Sequence, residues 1–301
     1  LHNPERAGLL LVLAGFCTLS IGDAIVKGMA GMWPPPAMIA IRYLVGAGLL
    51  AVMLARSEGI GALALPRARL QWIRGIAVSC SAIGMWFAVW VMPLAEATTI
   101  AFTQPMITAV LAIVLLREPS KRSTWIAIAI AFVGVVIVLR PNFEEVGFGV
   151  LLPLVAATGM AVTIIANRAT VGRASILAAQ YYMSITALMF LCGVTLVGHF
   201  GRVEGFVLTW PDWSVIARCA FIGLSATAGQ YFIYMGTVKA GPGTVAPMTY
   251  GQLLVAVTLG WVFFGEAPDA TSALGAAVII GAGLYLWYAS RTPRSVKEVV
   301  P

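Results

Sequence analysis

Charge is the scarcest feature of this sequence. Asp, Glu, Lys and Arg supply only 10% of its 301 residues, against about 25% in soluble domains. Hydrophobic residues supply 60%, more than one water-exposed fold could bury, so the solvent must be lipid. Histidine is nearly absent: His2 lies in the N-terminal tail and His199 in a loop. No His/Asp/Glu constellation forms, which argues against a metal-dependent membrane enzyme such as a transferase. The four cysteines, Cys17, Cys80, Cys192 and Cys219, all lie in apolar runs. Their spacing suits neither zinc nor a disulfide framework and reads as buried reduced thiols. There is no soluble domain, low-complexity tract or cofactor motif. In such a chain the excess of Lys and Arg marks cytoplasmic loops rather than a nucleic-acid partner.

What is present is a set of apolar runs, each near the roughly 20 residues that cross a bilayer. Ten qualify: 7–30, 37–54, 72–92, 94–116, 123–139, 146–166, 174–197, 213–235, 243–264 and 270–288. The first contains Asp23 and Lys27 and ends in Trp33-Pro34-Pro35-Pro36. It is too long for a signal-peptide core and reads as a retained membrane helix. With the N-terminus in the cytoplasm, 14 Lys and Arg fall in inside segments and three (Lys27, Arg140 and Arg202) outside. Arg42 and Arg218, a little inside helices, are left uncounted. This asymmetry puts both termini inside.

The fourth run is unusually polar for a crossing. It carries Glu96, Thr98, Thr99, Thr103, Gln104 and Pro105. A second copy begins near Gly243 and ends at Glu266. One offset of 148 residues pairs Trp86 with Tyr234, Phe102 with Tyr250, Gln104 with Gln252 and Glu118 with Glu266. Residues 8–27 align without a gap on 149–168, which pairs Lys27 with Arg168. The expected fold is therefore all-α and integral to the membrane. Its ten helices form two five-helix repeats, 1–141 and 142–301, the second followed by a short cytoplasmic tail. Five crossings reverse the chain, so the second repeat is inverted. That is the plan of secondary transporters, with the substrate between the repeats near mid-membrane.

Helical periodicity aligns the polar residues. Helix 1 carries Phe16, Ser20, Asp23 and Lys27; helix 3, Ser79, Ile83, Trp86 and Trp90. Helix 4 aligns Glu96, Thr99 and Thr103, flanked by Gln104 and Thr108. Helix 6 aligns Met160, Thr163 and Asn167; helix 8, Thr227, Gln230, Tyr231 and Tyr234; helix 9, Met248, Thr249 and Gln252. Helices 1, 3, 4, 6, 8 and 9 are thus expected to line a cavity. Helices 5 and 10 are expected as packing or dimer-facing elements, and 2 and 7 at the periphery. Each stripe also has a plainer reading: Ser and Thr hydroxyls can bond their own helix, and Trp and Tyr can anchor the interface. Asp23 reads either as a functional carboxylate or as an ion pair with Lys27 or Arg42. Glu96 is placed at the outer rim, and Glu118 and Glu266 as boundary residues that pair with nearby cations or cap a helix. Pro105, Pro247 and Gly243 are candidate gating points.

The stretch Trp86-Phe87, Pro93-Leu94-Ala95-Glu96-Ala97-Thr98, Phe102-Thr103-Gln104-Pro105 and Leu115-Leu116-Arg117-Glu118, with Lys27, Arg42 and the doubling, resembles the drug/metabolite transporter superfamily. Within it the match is to the ten-helix EamA-type exporters and covers nearly the whole chain. The resemblance implies alternating-access export from the bacterial inner membrane. The members closest in character are amino-acid exporters, including aromatic ones. Gln252-Leu253 stands where Glu-Pro is common, which removes a carboxylate suspected of proton work. The implied partners are the lipid bilayer and a small-molecule substrate. Monomer and dimer, and coupled or facilitated transport, stay open. The expected substrate-binding residues are Asp23, Ser79, Trp86, Trp90, Thr99, Phe102, Thr103, Gln104, Thr163, Gln230, Tyr231, Tyr234, Tyr250 and Gln252. The aromatics suit a flat apolar side chain and would equally suit a lipophilic cation.

Overall fold

The computed structural model describes residues 4–65, 69–115, 117, 122–168, 170, 174–203, 205–240, 248 and 250–291. For 4–5, 139–146, 150, 168, 234, 237–238, 240 and 290–291 it describes the backbone alone. The described residues form helices and no strands. They are α1 (Pro4–Lys27), α2 (Pro35–Glu58), α3 (Arg69–Val91), α4 (Leu94–Ala101), α5 (Gln104–Leu115), α6 (Arg122–Val146), α7 (Leu152–Arg168), α8 (Ile176–Phe200), α9 (Trp213–Ala240), α10 (Gly251–Phe264) and α11 (Ala270–Arg291). Short 3-10 turns at Ile60–Leu63 and Gly147–Leu151 follow α2 and precede α7.

Seven stretches among the described residues are long and apolar enough to cross a membrane, fewer than the ten expected. They comprise α1, α2, α3, the joined α4–α5, α7, α8 and α11. Arg122–Val138 of α6 and α10 are apolar but shorter. Helix α9 has 28 residues and carries Arg218 and Lys239 within its length.

Local chemistry sets the boundaries. Pro35 and Pro36 occupy the first turn of α2, where no N–H is needed, and Gly59 ends it at φ 88°. The Ser175 hydroxyl caps α8 by accepting from Ala178 N–H at 3.0 Å. Helix α10 ends at Gly265 (φ 68°), whose N–H bonds Trp261 O. The next N–H, of Glu266, returns to Gly260 O. The sharpest interruption separates α4 from α5. Pro105 has no N–H, and its ring crowds the carbonyl of Ala101 four residues back. Helix α4 therefore closes in a tight turn, with Thr103 N–H on Ile100 O, before α5 starts at Gln104.

The bundle is held by pairs of helices in close approach. Helix α1 packs on α9, α3 on α7, α6 on α11 and α2 on α8. Two further pairs, α2 with α9 and α3 with α8, close the assembly. Small residues permit the closest contacts. A Cβ on Gly15 would fall 2.7 Å from Gly229 O, and one on Gly134 2.7 Å from Ile279 Cγ1. Helices α6 and α11 thus pack on each other. Helix α2, expected at the periphery, instead buries Met38 and Ile39 completely against α8 and α9. The main core lies where α1 and α3 end and α2, α4 and α9 begin. Val26, Met29, Met38, Val89, Leu94, Ile100, Val215 and Cys219 there are all but sealed from solvent.

Candidate substrate site

The break between α4 and α5 meets the start of α10 inside the bundle. Phe102 stands at the end of α4 and Tyr250 at the start of α10. Their rings pack edge to face with centroids 5.5 Å apart. They are the two residues that the 148-residue offset pairs. The Tyr250 hydroxyl rests against Gly283 of α11, with the Met106 methyl nearby. Each ring is followed two residues later by a glutamine in the first turn of the helix that follows.

The two glutamines differ in what they reach. Gln252 Nε2 donates to Asp23 Oδ2 of α1 at 3.3 Å. Ser20, one turn before Asp23, donates to the Gln252 carbonyl at 2.9 Å. Gln104 instead donates to Thr108 Oγ1 of its own helix at 2.9 Å. The difference follows from the residue opposite: the alignment that pairs Lys27 with Arg168 puts Ile164 where the first half has Asp23. Asp23 is half-buried and electrostatically coupled to Arg42 of α2.

Lys27, the natural i+4 partner of Asp23, points elsewhere. It pairs with Glu266 and donates to Met92 O. Glu266 thus both pairs and caps, since its other oxygen accepts Leu94 N–H. Glu96 lies in the first turn of α4. It is buried between α4 and α11, where the Ser272 hydroxyl donates to it at 2.8 Å.

The other expected site residues scatter. Ser79 is sealed at the α3–α8 contact and donates to Gly75 O at 2.7 Å. Thr99 and Thr163 are buried and bond carbonyls of their own helices, as does Thr103 in the α4–α5 turn. Trp86 is buried in the main core, and Trp90 donates to Val26 O at 3.0 Å. Gln230 and Tyr231 are exposed on α9. The Tyr234 side chain, Gly243, Pro247 and Glu118 lie outside the described residues. The structure therefore brings together Asp23, Gln252, Phe102 and Tyr250, with Gln104 and Pro105 at the neighbouring interruption.

Two arginines outside the list of expected site residues add to this picture. Arg42, left out of the charge count and offered as an ion-pair partner for Asp23, stands on α2. Its guanidinium lies 5.3 Å from the centroid of the Tyr43 ring. Arg74, counted with the cytoplasmic loops, is 2% exposed. It donates to Asn167 Oδ1 and Gln71 Oε1, both at 2.6 Å, in the α3–α7–α8 wedge. Asn167 on the polar stripe of helix 6 was the available signal for that cluster.

Comparison with known proteins adds to this geometry. The model of the EamA-like transporter family matches residues 6–140 and 147–288. The riboflavin transporter of Rhizobium johnstonii is 26% identical over 291 residues, covering 94% of this chain and 92% of that protein. The pseudopaline exporter CntI of Pseudomonas aeruginosa is 25% identical over 291 residues, covering 96% and 98%. The S-adenosylmethionine uptake transporter of Rickettsia felis is 25% identical over 241 residues, covering 80% and 79%. These relatives do not single out aromatic amino-acid export. A solved crystal structure covers 96% of the chain with a TM-score of 0.63 at 20% identity, a likeness of fold.

Proposed function

We infer the function of this protein from one premise: it belongs to the EamA-like transporter family. It is a secondary transporter that exports amino acids, chiefly aromatic or other hydrophobic ones, and related small metabolites. It works by alternating access across the bacterial inner membrane, with both termini in the cytoplasm. Ten crossings in two inverted repeats build it, the two half-helices α4 and α5 making one crossing.

The packing supports that architecture. If α1, α2, α3, α4–α5 and α6 correspond to α7 through α11, the α1–α9 contact maps onto α7–α3. The α2–α9 contact maps onto α8–α3, and α6–α11 and α2–α8 map onto themselves. Gly75 and Gly223, 148 residues apart, fill equivalent places. A Cβ on Gly223 would fall 2.6 Å from Arg42 O, and one on Gly75 2.8 Å from Ala187 N. The two matches to the family model, 6–140 and 147–288, agree with the same division.

The observation that carries the functional reading is Asp23, a carboxylate within a span, bonded by Gln252 beside the Phe102–Tyr250 rings. A carboxylate in that setting is costly and marks function by default. A helix interrupted inside the bundle, as α4–α5 is, favours a substrate site there. The rings offer a face to a flat apolar group and Asp23 binds an ammonium. The sealed core around Val26, Leu94 and Ile100 supports closure on the Lys27 side, the outer side in this orientation.

Counterflow in proteoliposomes tests the reading, with phenylalanine, tryptophan, leucine, riboflavin and S-adenosylmethionine as the panel. Exchange of the hydrophobic amino acids, lost in Asp23→Asn, is expected. Exchange of riboflavin or S-adenosylmethionine with none of any amino acid would overturn the substrate assignment.

A further inference from the structure

Asp23 on α1 and Arg42 on α2 are opposite charges beside the same turn of α9: a Cβ on Gly22 would lie 3.7 Å from Ile222 Cγ2, and one on Gly223 2.6 Å from Arg42 O. Lys27 is committed to Glu266 and the Met92 carbonyl. Among the described residues Asp23 accepts one hydrogen bond, from Gln252 at 3.3 Å. The Arg42 guanidinium makes no hydrogen bond among the described residues and has only the Tyr43 ring against it, 5.3 Å to the centroid. The two charges interact electrostatically, yet no ion pair joins them among the described residues.

That arrangement is expensive unless something else completes it. A guanidinium has five N–H donors, and a carboxylate roughly four acceptor sites. In a bundle surrounded by lipid, leaving them idle costs free energy that direct pairing would recover. Arg42 is also held in place. The α2 backbone lies so close to α9 that a Cβ on Gly223 would meet Arg42 O at 2.6 Å. Nor does the aligned stretch of the second half carry the carboxylate, since Ile164 stands opposite Asp23.

We propose that Asp23 and Arg42 form a two-point clamp for an α-amino acid. Asp23 takes the ammonium, with Gln252 steadying the carboxylate oxygen. Arg42 takes the substrate carboxylate, for which its planar fork of donors is suited. In an α-amino acid one carbon joins the two groups, so a single substrate bridges both protein charges. The side chain then projects toward the Phe102–Tyr250 rings, since Tyr250 lies two residues before Gln252. This inference rests on the amino-acid reading above and adds its recognition chemistry.

The test uses purified full-length protein in liposomes and counterflow of labelled phenylalanine. The competitors are phenylalanine, phenylalaninamide, phenethylamine and 3-phenylpropionate. In the unmutated protein phenylalanine competes best and each analogue lacking one charge is weaker by about tenfold or more. Arg42→Gln weakens phenylalanine by a similar factor and leaves phenylalaninamide unchanged, so the preference collapses. Arg42→Lys restores part of it. Asp23→Asn has the complementary effect, erasing the advantage of phenylalanine over 3-phenylpropionate. An amide that competes as well as phenylalanine in the unmutated protein overturns the clamp whatever the variants do. So does Arg42→Gln with an unchanged preference. Absence of counterflow of every amino acid refutes the amino-acid reading itself, and the clamp with it.

Discussion

Lys27 Nζ lies 2.6 Å from Glu266 Oε1, joining the end of α1 to the turn between α10 and α11. Two further bonds make this pair a knot. Lys27 donates to Met92 O at 2.8 Å, and Glu266 Oε2 accepts Leu94 N–H at 3.1 Å. Leu94 opens α4, so Glu266 satisfies one of the donors that a helix start leaves orphaned. The knot sits over the main core, at the end of the bundle that the proposed cycle must open. In the proposed cycle its strength would set how often that end opens.

Glu266→Gln should therefore loosen that end. Cys219 is a native reporter, because it is fully buried in the sealed core on α9. With Cys17, Cys80 and Cys192 changed to Ser, thiol labelling of Cys219 should speed up by roughly tenfold, for a charged hydrogen-bonded contact of about 1–3 kcal/mol. Labelling no faster than in the parent would show that the knot does not hold the core shut.

Arg74 makes a second prediction, about stability rather than transport. Its charge is buried among neutral acceptors, Asn167 and Gln71, with the Met183 sulfur 3.9 Å from its third nitrogen. Asn167→Ala strands the Nε donor and should cost about 1–3 kcal/mol. Arg74→Met removes the charge together with its demands and should cost less. Thermal unfolding in detergent ranks the two. A larger loss for Arg74→Met would mean that the guanidinium stabilises the wedge beyond its own desolvation.

These cases show what the sequence could and could not reveal. The 148-residue offset singled out Phe102 and Tyr250 as counterparts, and their ring contact came only with the fold. The break at Pro105 was legible because it is local backbone chemistry. The burial of Arg74 and Glu96 was not legible, for a common reason. A charge near a helix end looks the same in sequence whether it reaches outward to water or inward to a partner. Its fate depends on which helix lies beside it, as Ser272 does for Glu96 and Asn167 for Arg74. Hydroxyl stripes took the plainer of the two readings the sequence offered. Thr99 and Thr163 shared faces with site residues, yet their hydroxyls close onto their own helices.

A third prediction concerns pH. Asp269 caps α11 by accepting Ser272 N–H at 2.6 Å. Hydrogen bonds from Ser272 to the anion hold this carboxyl below its ordinary value of 3.8. A depressed carboxyl adds stability that is complete above its unfolded pKa and fades as pH falls through the folded one. The melting-temperature gap between the parent and Asp269→Ala should stay level above about pH 5 and narrow below about pH 4. A gap that widens on acidification would reverse the assignment.

The last prediction probes the aromatic pair through its support. Gly283 is buried on α11, and a Cβ there would run into the Tyr250 hydroxyl. Gly283→Ala must push that ring off its seat, and Phe102, whose edge-to-face contact depends on it, loses its partner. Transport of phenylalanine should fall by about tenfold, a loss of roughly 1.4 kcal/mol in the step that the rings support. Tyr250→Phe removes the atom that collides. The double variant should therefore regain most of the activity lost by Gly283→Ala, whatever small cost Tyr250→Phe carries alone. This non-additivity separates displacement of the ring from a general packing defect in α11. Equal losses with and without the Tyr250 hydroxyl would place the effect of Gly283 in helix packing and detach the Phe102–Tyr250 pair from substrate recognition.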